Sequence, residues 1–537
     1  MTLRQGILSI LTVVVLLFLA GPALISSIQE QQITDRLELH QTDLLLQASE
    51  LKLAGDDGQF GQQFGPLQMA LVGKKPGETA LKAYQDTRKT AQKNLEALQT
   101  KAKELEESLA SSSDNLDAKT DSSLLLSSEL TPQELQIKSI RTKLFDQERL
   151  INQLKINIGI LHAYQGDLES ARTSWSSLSE SFIDNRTLGS LLVQLWSNPP
   201  EVSAEMEPQI QRQLTGWFRD RALTRLYDLQ QDADALATLQ KEEQAIAQQT
   251  VKKLALLSVG PVLGCIVGIG LIVFLVVQRV INGQDAMLAE GNAQTWETPW
   301  NWEITWQVVV VGFFIVGQVI VPLFFEAFKP TIAQLGAMAG LGGGRITAIS
   351  TLTIYSLMSI ATLAVLYVSI KKYQPFEKNW FRINLQEKWW LWGFSGYMVA
   401  IPLVIGVSVV NQAFWQGRGG SNPLLQTVLE EGDPFALGIF FFTAAIAAPI
   451  FEEILFRGFI LPSMTRYMST WGAIALSSFI FAAAHLSVSE ILPLMILGMV
   501  LGFVYTRTKN LLAPMMVHSL WNSATMLGLF VLGSNAT

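Results

Sequence analysis

Apolar and polar positions divide this chain into stretches that belong in different solvents. Residues 6–28 form an apolar run of about 23 residues, enough to cross a hydrocarbon core that needs roughly 20. From 29 to about 250 polar residues dominate, and beyond that apolar runs recur at 254–278, 305–325, 346–370, 391–410, 435–455, 471–488, 491–506 and 511–532. With the first run that makes nine spans. The pattern predicts an all-α protein: a multi-pass transmembrane helical bundle of about eight C-terminal spans plus an N-terminal anchor, with an extramembrane helical domain. Its parts are the anchor 1–28, the extramembrane domain 29–250 and a membrane domain 251–537.

Arg4 gives the first run a short positive flank, and Ala20-Gly21-Pro22-Ala23 has the small residues of a cleavage region. A removed signal peptide therefore competes with an anchor. The run is longer than the roughly 7–15 apolar residues of a signal peptide, which favours the uncleaved anchor. In the polar region Ala91, Leu95, Leu98, Ala102, Leu105 and Leu109 alternate spacings of four and three, the seam of an amphipathic or coiled-coil helix. A Ser-rich linker follows at 111–128. Thr131-Pro132-Gln133-Glu134 then reads as a capping box opening a helix with Leu135, Ile140, Leu144, Ile151 and Leu154 on its apolar positions. Ala163, Tyr164, Gly166, Asp167, Leu168, Ala171 and Trp175 resemble part of a tetratricopeptide-type hairpin, with a faint echo at 226–236. That is too few repeats to separate the motif from an irregular helical bundle. His40 and His162 stand alone among solvating residues, and no catalytic or metal-ligand spacing occurs here. The region reads as a docking or substrate-presenting module for a protein partner.

Composition sharpens the division of solvents. Of 537 residues 49% are hydrophobic and 16% charged, against roughly 25% charged in soluble domains. A formal charge of −7 leaves no general basic surface for nucleic acid. The single cysteine, Cys265, permits no intrachain disulfide and reads as a small buried hydrophobe. Trp296, Trp300, Trp302, Trp306, Trp380, Trp389, Trp390 and Trp392 are placed as interfacial belts at span edges. Lys371, Lys372, Lys378, Arg382 and Lys388 put the loop between the fourth and fifth spans inside. Glu430, Glu431 and Asp433, with Arg418 the lone cation, put the next loop outside. Alternation then places Arg4, Arg466, Arg507 and Lys509 in the cytoplasm and 29–250 on the far side. Lys252, Lys253 and the acidic loop 279–303 run against that order.

Ionisable groups in mid-span are costly, and by default functional. Glu452 and Glu453 follow the apolar run 444–451, and the apolar pattern continues past them. Glu453 and Arg457 lie one turn apart and can pair on one face. Glu452, rotated by about 100°, escapes that pairing and suits general base or acid work. His485 lies in the next span, and His518 and Asn522 are again one turn apart in the last, two donors fit to stabilise an oxyanion. A Glu–Arg pair or a lone histidine is often structural. Six such residues on three of four consecutive spans are much harder to explain by packing.

These residues resemble the CPBP family of intramembrane endopeptidases, also called ABI-like, which includes type II CAAX prenyl endopeptidases and bacteriocin-processing and immunity proteins. The family's three motifs are matched in order by Glu452-Glu453-Ile454-Leu455-Phe456-Arg457, Phe481-Ala482-Ala483-Ala484-His485 and His518-Ser519-Leu520-Trp521-Asn522. The resemblance covers about 435–532, and more loosely the spans from 254 onward; it does not cover 1–250. It implies an eight-helix bundle that hydrolyses a peptide bond of a membrane-associated peptide or protein. Glu452 with His485 would activate water, His518 and Asn522 would hold the oxyanion, and Glu453 with Arg457 would support the site. No cofactor is favoured. The alternative is a divalent metal such as zinc, held by Glu452, Glu453, His485 and His518, although the HExxH helix is missing.

Other intramembrane designs find no residues here. Beyond 254 the only aspartates, Asp285 and Asp433, fall in predicted loops, and no Gly-x-Ser-Gly nucleophile occurs. Gly340-Leu341-Gly342-Gly343-Gly344 lacks the ending of a phosphate loop and reads as a flexible turn. Two further classes stay open, a non-proteolytic scaffold or immunity-type protein and a proton-coupled transporter. The membrane is bacterial cytoplasmic or thylakoid-type.

Overall fold

The computed structural model describes residues 2–28, 32, 34–52, 72–113, 132–289, 296–376, 380–415 and 417–533. Most of the Ser-rich linker, the capping Thr131, loop residue Lys378 and the side chains of Leu109, Leu135 and Glu430 lie outside the described residues. No strand occurs among those described, and the all-α expectation holds. The chain forms two compact units, Asp35–Ala255 and a second made of Met1–Thr34 with Leu256–Asn535.

Helix α1 (Leu3–Ser27) opens the chain. The polar unit follows with α2 (Thr34–Ser49), α3 (Pro76–Ser113), α4 (Pro132–Tyr164), α5 (Leu168–Ser176), α6 (Ile183–Leu195), α7 (Met206–Gln213) and α8 (Gly216–Gln230). The expected seam is the packed face of α3: Ala91 is fully buried, and Gln147 on α4 reaches the Ala91 carbonyl at 3.3 Å. Two turns are built alike. After α4, Gly166 takes φ +85° and Asp167 caps α5 through the Ser170 amide; after α8, Gln231 takes φ 57° and Asp232 accepts from the Ala235 amide. His162 is not solvated: its ring packs at 3.4 Å from Asp167. Tyr84 donates to Asp43 at 2.5 Å, and burial pushes the Asp43 carboxyl up to about 7.

Helix α9 (Ala233–Asn282) belongs to the polar unit up to Ala255 and to the membrane unit from Leu256, and the membrane unit continues with α10 (Trp302–Met338), α11 (Gly343–Ile370), α12 (Trp389–Trp415), α13 (Pro423–Glu430), α14 (Pro434–Met464), α15 (Thr470–Ala483), α16 (Ile491–Thr508) and α17 (Leu512–Gly533). Among the described residues eight helices are long and apolar enough to cross a membrane, α1 among them, and α15 is a shorter apolar helix. The protein is thus an integral, multi-pass membrane protein. The run at 471–488 does not stay helical to its end. Ser487 and Ser489 give their hydroxyls to the carbonyls of Gly419 and Gly420, and Leu486 turns to φ 57°, so the chain leaves the helix after Ala483.

Proline shapes several spans. Widened π-type turns at Leu16–Ala20, Val308–Ile320, Thr443–Ala447 and Phe456–Ile460 each end just before Pro22, Pro322, Pro449 and Pro462. A proline ring clashes with the carbonyl four residues back and offers no N–H to it, and widening the preceding turn relieves both. Two of these turns bracket Glu452 and Glu453.

The tryptophans correct the belt expectation. Trp296, Trp300 and Trp380 are buried in the core of the bundle, and Trp300 donates to Ser463 at 2.9 Å; Trp302 and Trp390 are exposed. Apolar ring area outweighs the interface preference once the indole N–H finds a partner inside. Cys265 is only half-buried on α9. At one end of the bundle Arg4 meets Gln307, Arg466 meets the Trp300 carbonyl and Arg507 the Ala289 carbonyl. Elsewhere in this unit Arg345 pairs with Asp433, and Gly340 at φ +72° makes the turn before α11, whose first residues are Gly343 and Gly344.

Candidate active site

Helix α14 brings both glutamates and Arg457 into the bundle: Glu453 and Arg457 are 0% and 1% exposed. Arg457 donates to Glu453 Oε1 at 3.0 Å and, through its other terminal nitrogen, to the Gly498 carbonyl at 3.1 Å. The same Glu453 oxygen accepts from His518 Nδ1 at 2.8 Å. Buried charge survives only when paired and hydrogen-bonded, and here the pair also fixes an imidazole. With Nδ1–H given to Glu453, His518 turns Nε2 toward Glu452 Oε2, 3.8 Å away. In the neutral ring that nitrogen accepts; it donates only as imidazolium.

Glu452 is free of Arg457 but not unpartnered. Tyr355 on α11 donates to Oε1 at 2.9 Å, whereas Oε2 is buried with no hydrogen-bond partner. His485 is not inside a helix, as expected, but in the turn just after α15. Its Nδ1 lies 2.9 Å from the Phe481 carbonyl, an acceptor, so Nδ1 carries the proton and Nε2 is the ring nitrogen available for chemistry. Asn522 gives Nδ2 to the Ala444 carbonyl at 2.8 Å, in the widened turn that precedes Pro449.

A cavity of about 570 Å³ joins these groups: Glu452, His485, His518, Asn522 and Tyr355 all line it, with Glu490. The volume is in the range of small-molecule and peptide sites. Glu453 and Arg457 stand behind the wall. Phe481 explains its own motif. Its ring lies under the Arg457 guanidinium at 4.6 Å and packs against both histidines, centroids 5.0 Å from His485 and 5.8 Å from His518.

Tyr355 and Glu490 were missed by the sequence reading. A tyrosine in an apolar span is the same signal as a buried charge, but a weak one, because the ring belongs in the bilayer and only the hydroxyl asks for a partner. Glu490 sits between two spans and reads as loop. Burial pushes its carboxyl up, against the Asn422 amide and His485. Among the described residues no group of three His, Cys, Asp or Glu converges to hold a metal, and Glu453 is engaged by Arg457 and His518.

The fold and site together define a helical membrane protein with a Glu–His–Asn constellation around one cavity, and comparison with known proteins finds similar chains. Residues 434–524, which hold all six motif residues, match the type II CAAX prenyl endopeptidase Rce1-like family, as the three motifs implied. The chain is similar to the "Putative membrane peptidase YdiL" of Bacillus subtilis, 28% identical over 134 residues, 25% of this chain and 53% of that protein. It is also similar to the UPF0177 protein YxdF of Lactococcus lactis, 28% identical over 146 residues, 26% of this chain and 75% of that one. The chain thus spans about half the length of the first relative and three quarters of the second. No solved structure matches. Tyr355 and the whole polar unit lie outside the family match.

Proposed function

We propose that this protein is an intramembrane endopeptidase that hydrolyses a peptide bond of a membrane-associated peptide or protein in a bacterial cytoplasmic or thylakoid-type membrane. The observation that carries the reading is the division of bonds around Glu452. Tyr355 holds Oε1, and Oε2, with His518 Nε2 3.8 Å away, has no hydrogen-bond partner in the cavity that His485 lines. Glu452 Oε2 takes a proton from water, His485 Nε2 aligns that water, and the water oxygen bonds to the carbonyl carbon. The carbonyl oxygen becomes an oxyanion held by the Asn522 amide and by His518 in its protonated form. Collapse breaks the C–N bond, and the leaving nitrogen takes the proton from Glu452. Glu453 and Arg457 orient His518 rather than touch the substrate. This chemistry uses no metal ion, and Asp35–Ala255 serves as the docking module for a protein partner.

Mass spectrometry of membrane peptides from cells carrying wild-type or Glu452→Gln protein identifies the substrate, and purified protein then tests it. Glu452→Gln and His485→Ala should each lower cleavage by about 10²–10⁴-fold with the fold intact. Unchanged cleavage in both variants sinks the assignment.

A further inference from the structure

An anchor that only tethers a protein needs apolar surface and nothing else. Helix α1 and the residues after it carry more than that. Ser27 and Gln32 are polar and buried, 2% and 7% exposed, and buried polar groups are costly unless bonded. Their bonds go to two segments that border the cavity. Gln32 donates its amide to the Gly417 carbonyl at 2.8 Å and its Nε2 to the Arg418 carbonyl at 2.5 Å, and Gln32 itself lines the cavity. Ser27 Oγ accepts from the Val488 amide at 3.2 Å, three residues beyond His485. Leu486, next to His485, packs on the cluster of Val15, Ala20 and Val310.

The two segments held this way are bonded to each other. The Ser489 amide reaches the Gly419 carbonyl at 3.2 Å, Ser489 Oγ reaches Gly420 at 2.7 Å, Ser487 Oγ reaches Gly419 at 3.1 Å, and the Asn422 amide reaches Glu490 Oε1 at 2.9 Å. Gly419 stands at φ +106°, and a β-carbon there would come within 2.6 Å of Ser489 Cβ. The approach is close enough to need glycine. A continuous set of hydrogen bonds thus runs from the N-terminal segment through residues 417–422 to the turn that carries His485.

We propose that the N-terminal segment is a working part of the site: Ser27 and Gln32 are positioning residues that hold the 417–422 rim and the His485 turn in register. The proposal rests on the endopeptidase reading for its kinetic consequence but not for its structural one, so the test has two arms. The first is amide hydrogen exchange on the full-length protein. In Gln32→Met, Gln32→Glu and Ser27→Ala the amides of Asn422 and Ser489 should exchange at least about fivefold faster than in wild type, while those of α16 stay unchanged. Leu17→Ala, on the exposed face of α1, should leave all of them unchanged. The second arm is cleavage of the substrate found for wild type. Loss of folded protein scales the maximal rate and leaves KM where it was, so a displaced rim shows as a KM raised about fivefold, most in Gln32→Glu, where a carboxylate faces a carbonyl. Unchanged exchange in all three variants overturns the proposal whatever the activity. Faster exchange with unchanged KM overturns the claim that the N-terminal segment is a working part of the site. A wild type that cuts nothing, or a Glu452→Gln variant that still cuts, counts against the endopeptidase reading instead.

Discussion

Phe481 couples residues that differ in charge and duty. Its face holds the Arg457 guanidinium, its ring packs against two imidazoles, and its carbonyl sets the tautomer of His485. Phe481→Leu keeps the carbonyl and the bulk but removes the π face, worth about 1–2 kcal/mol in a desolvated site. The expected outcome is a roughly tenfold loss of kcat with KM little changed, measured on the substrate of the wild type. Asp43 offers a test away from the membrane. Its carboxyl is raised from 3.8 to about 7 by burial. Its contribution to stability is therefore fully present below the unfolded value, declines as the unfolded chain ionises, and is gone once pH passes the folded value. Thermal unfolding of the polar unit in the full-length protein should weaken between about pH 4 and pH 7, and Asp43→Asn should flatten that slope; an unchanged slope refutes the assignment. The six candidate residues stand out in the sequence because polar groups in and beside apolar runs have few innocent explanations. Their partners do not: nothing in spacing says that His518 bonds to Glu453, or that Tyr355, about a hundred positions earlier, bonds to Glu452.

The close approach of α15 and α16 anchors the charged pair. A β-carbon on Gly498 would come within 2.8 Å of Ser478 Cβ, and the Gly498 carbonyl holds Arg457. Gly498→Ala should push the helices apart, at an overpacking cost of about 1–3 kcal/mol, and loosen Arg457. A lower detergent melting temperature together with reduced kcat is the expected outcome, and a gain in stability would show that α16 can shift freely. Helix existence was readable from apolar periodicity in every span. Helix ends were not, because they depend on distant partners: α15 stops at Ala483 where Ser487 and Ser489 turn to a glycine-rich loop almost seventy positions upstream. The buried tryptophans mislead for the same reason, since one hydroxyl on α14 is enough to draw Trp300 inside.

For the whole molecule, charge along the chain predicts which way it lies in the bilayer. In a Cys265→Ser background, Arg418→Cys should react with a membrane-impermeant maleimide in intact cells, and Lys388→Cys only after permeabilisation. The opposite pattern would reverse the orientation. Composition and run length were sufficient for the division into a polar and an apolar part, but the membership of α1 in the apolar unit appears only in three dimensions. The widened turns around Glu452 and Glu453 carry one more consequence. Peptide hydrolysis consumes a water molecule at each turnover, and a hydrocarbon core supplies almost none. Where proline has opened a helix, backbone carbonyls are released from their usual partners and become footholds for hydration. Helix α14 is opened twice, at Thr443–Ala447 and at Phe456–Ile460. Amide exchange across 443–460 should accordingly run faster than across α16, which is regular throughout. Equal protection in the two would mean that solvent reaches the carboxylates by another route. The prolines that look like flaws in a membrane helix are then its irrigation.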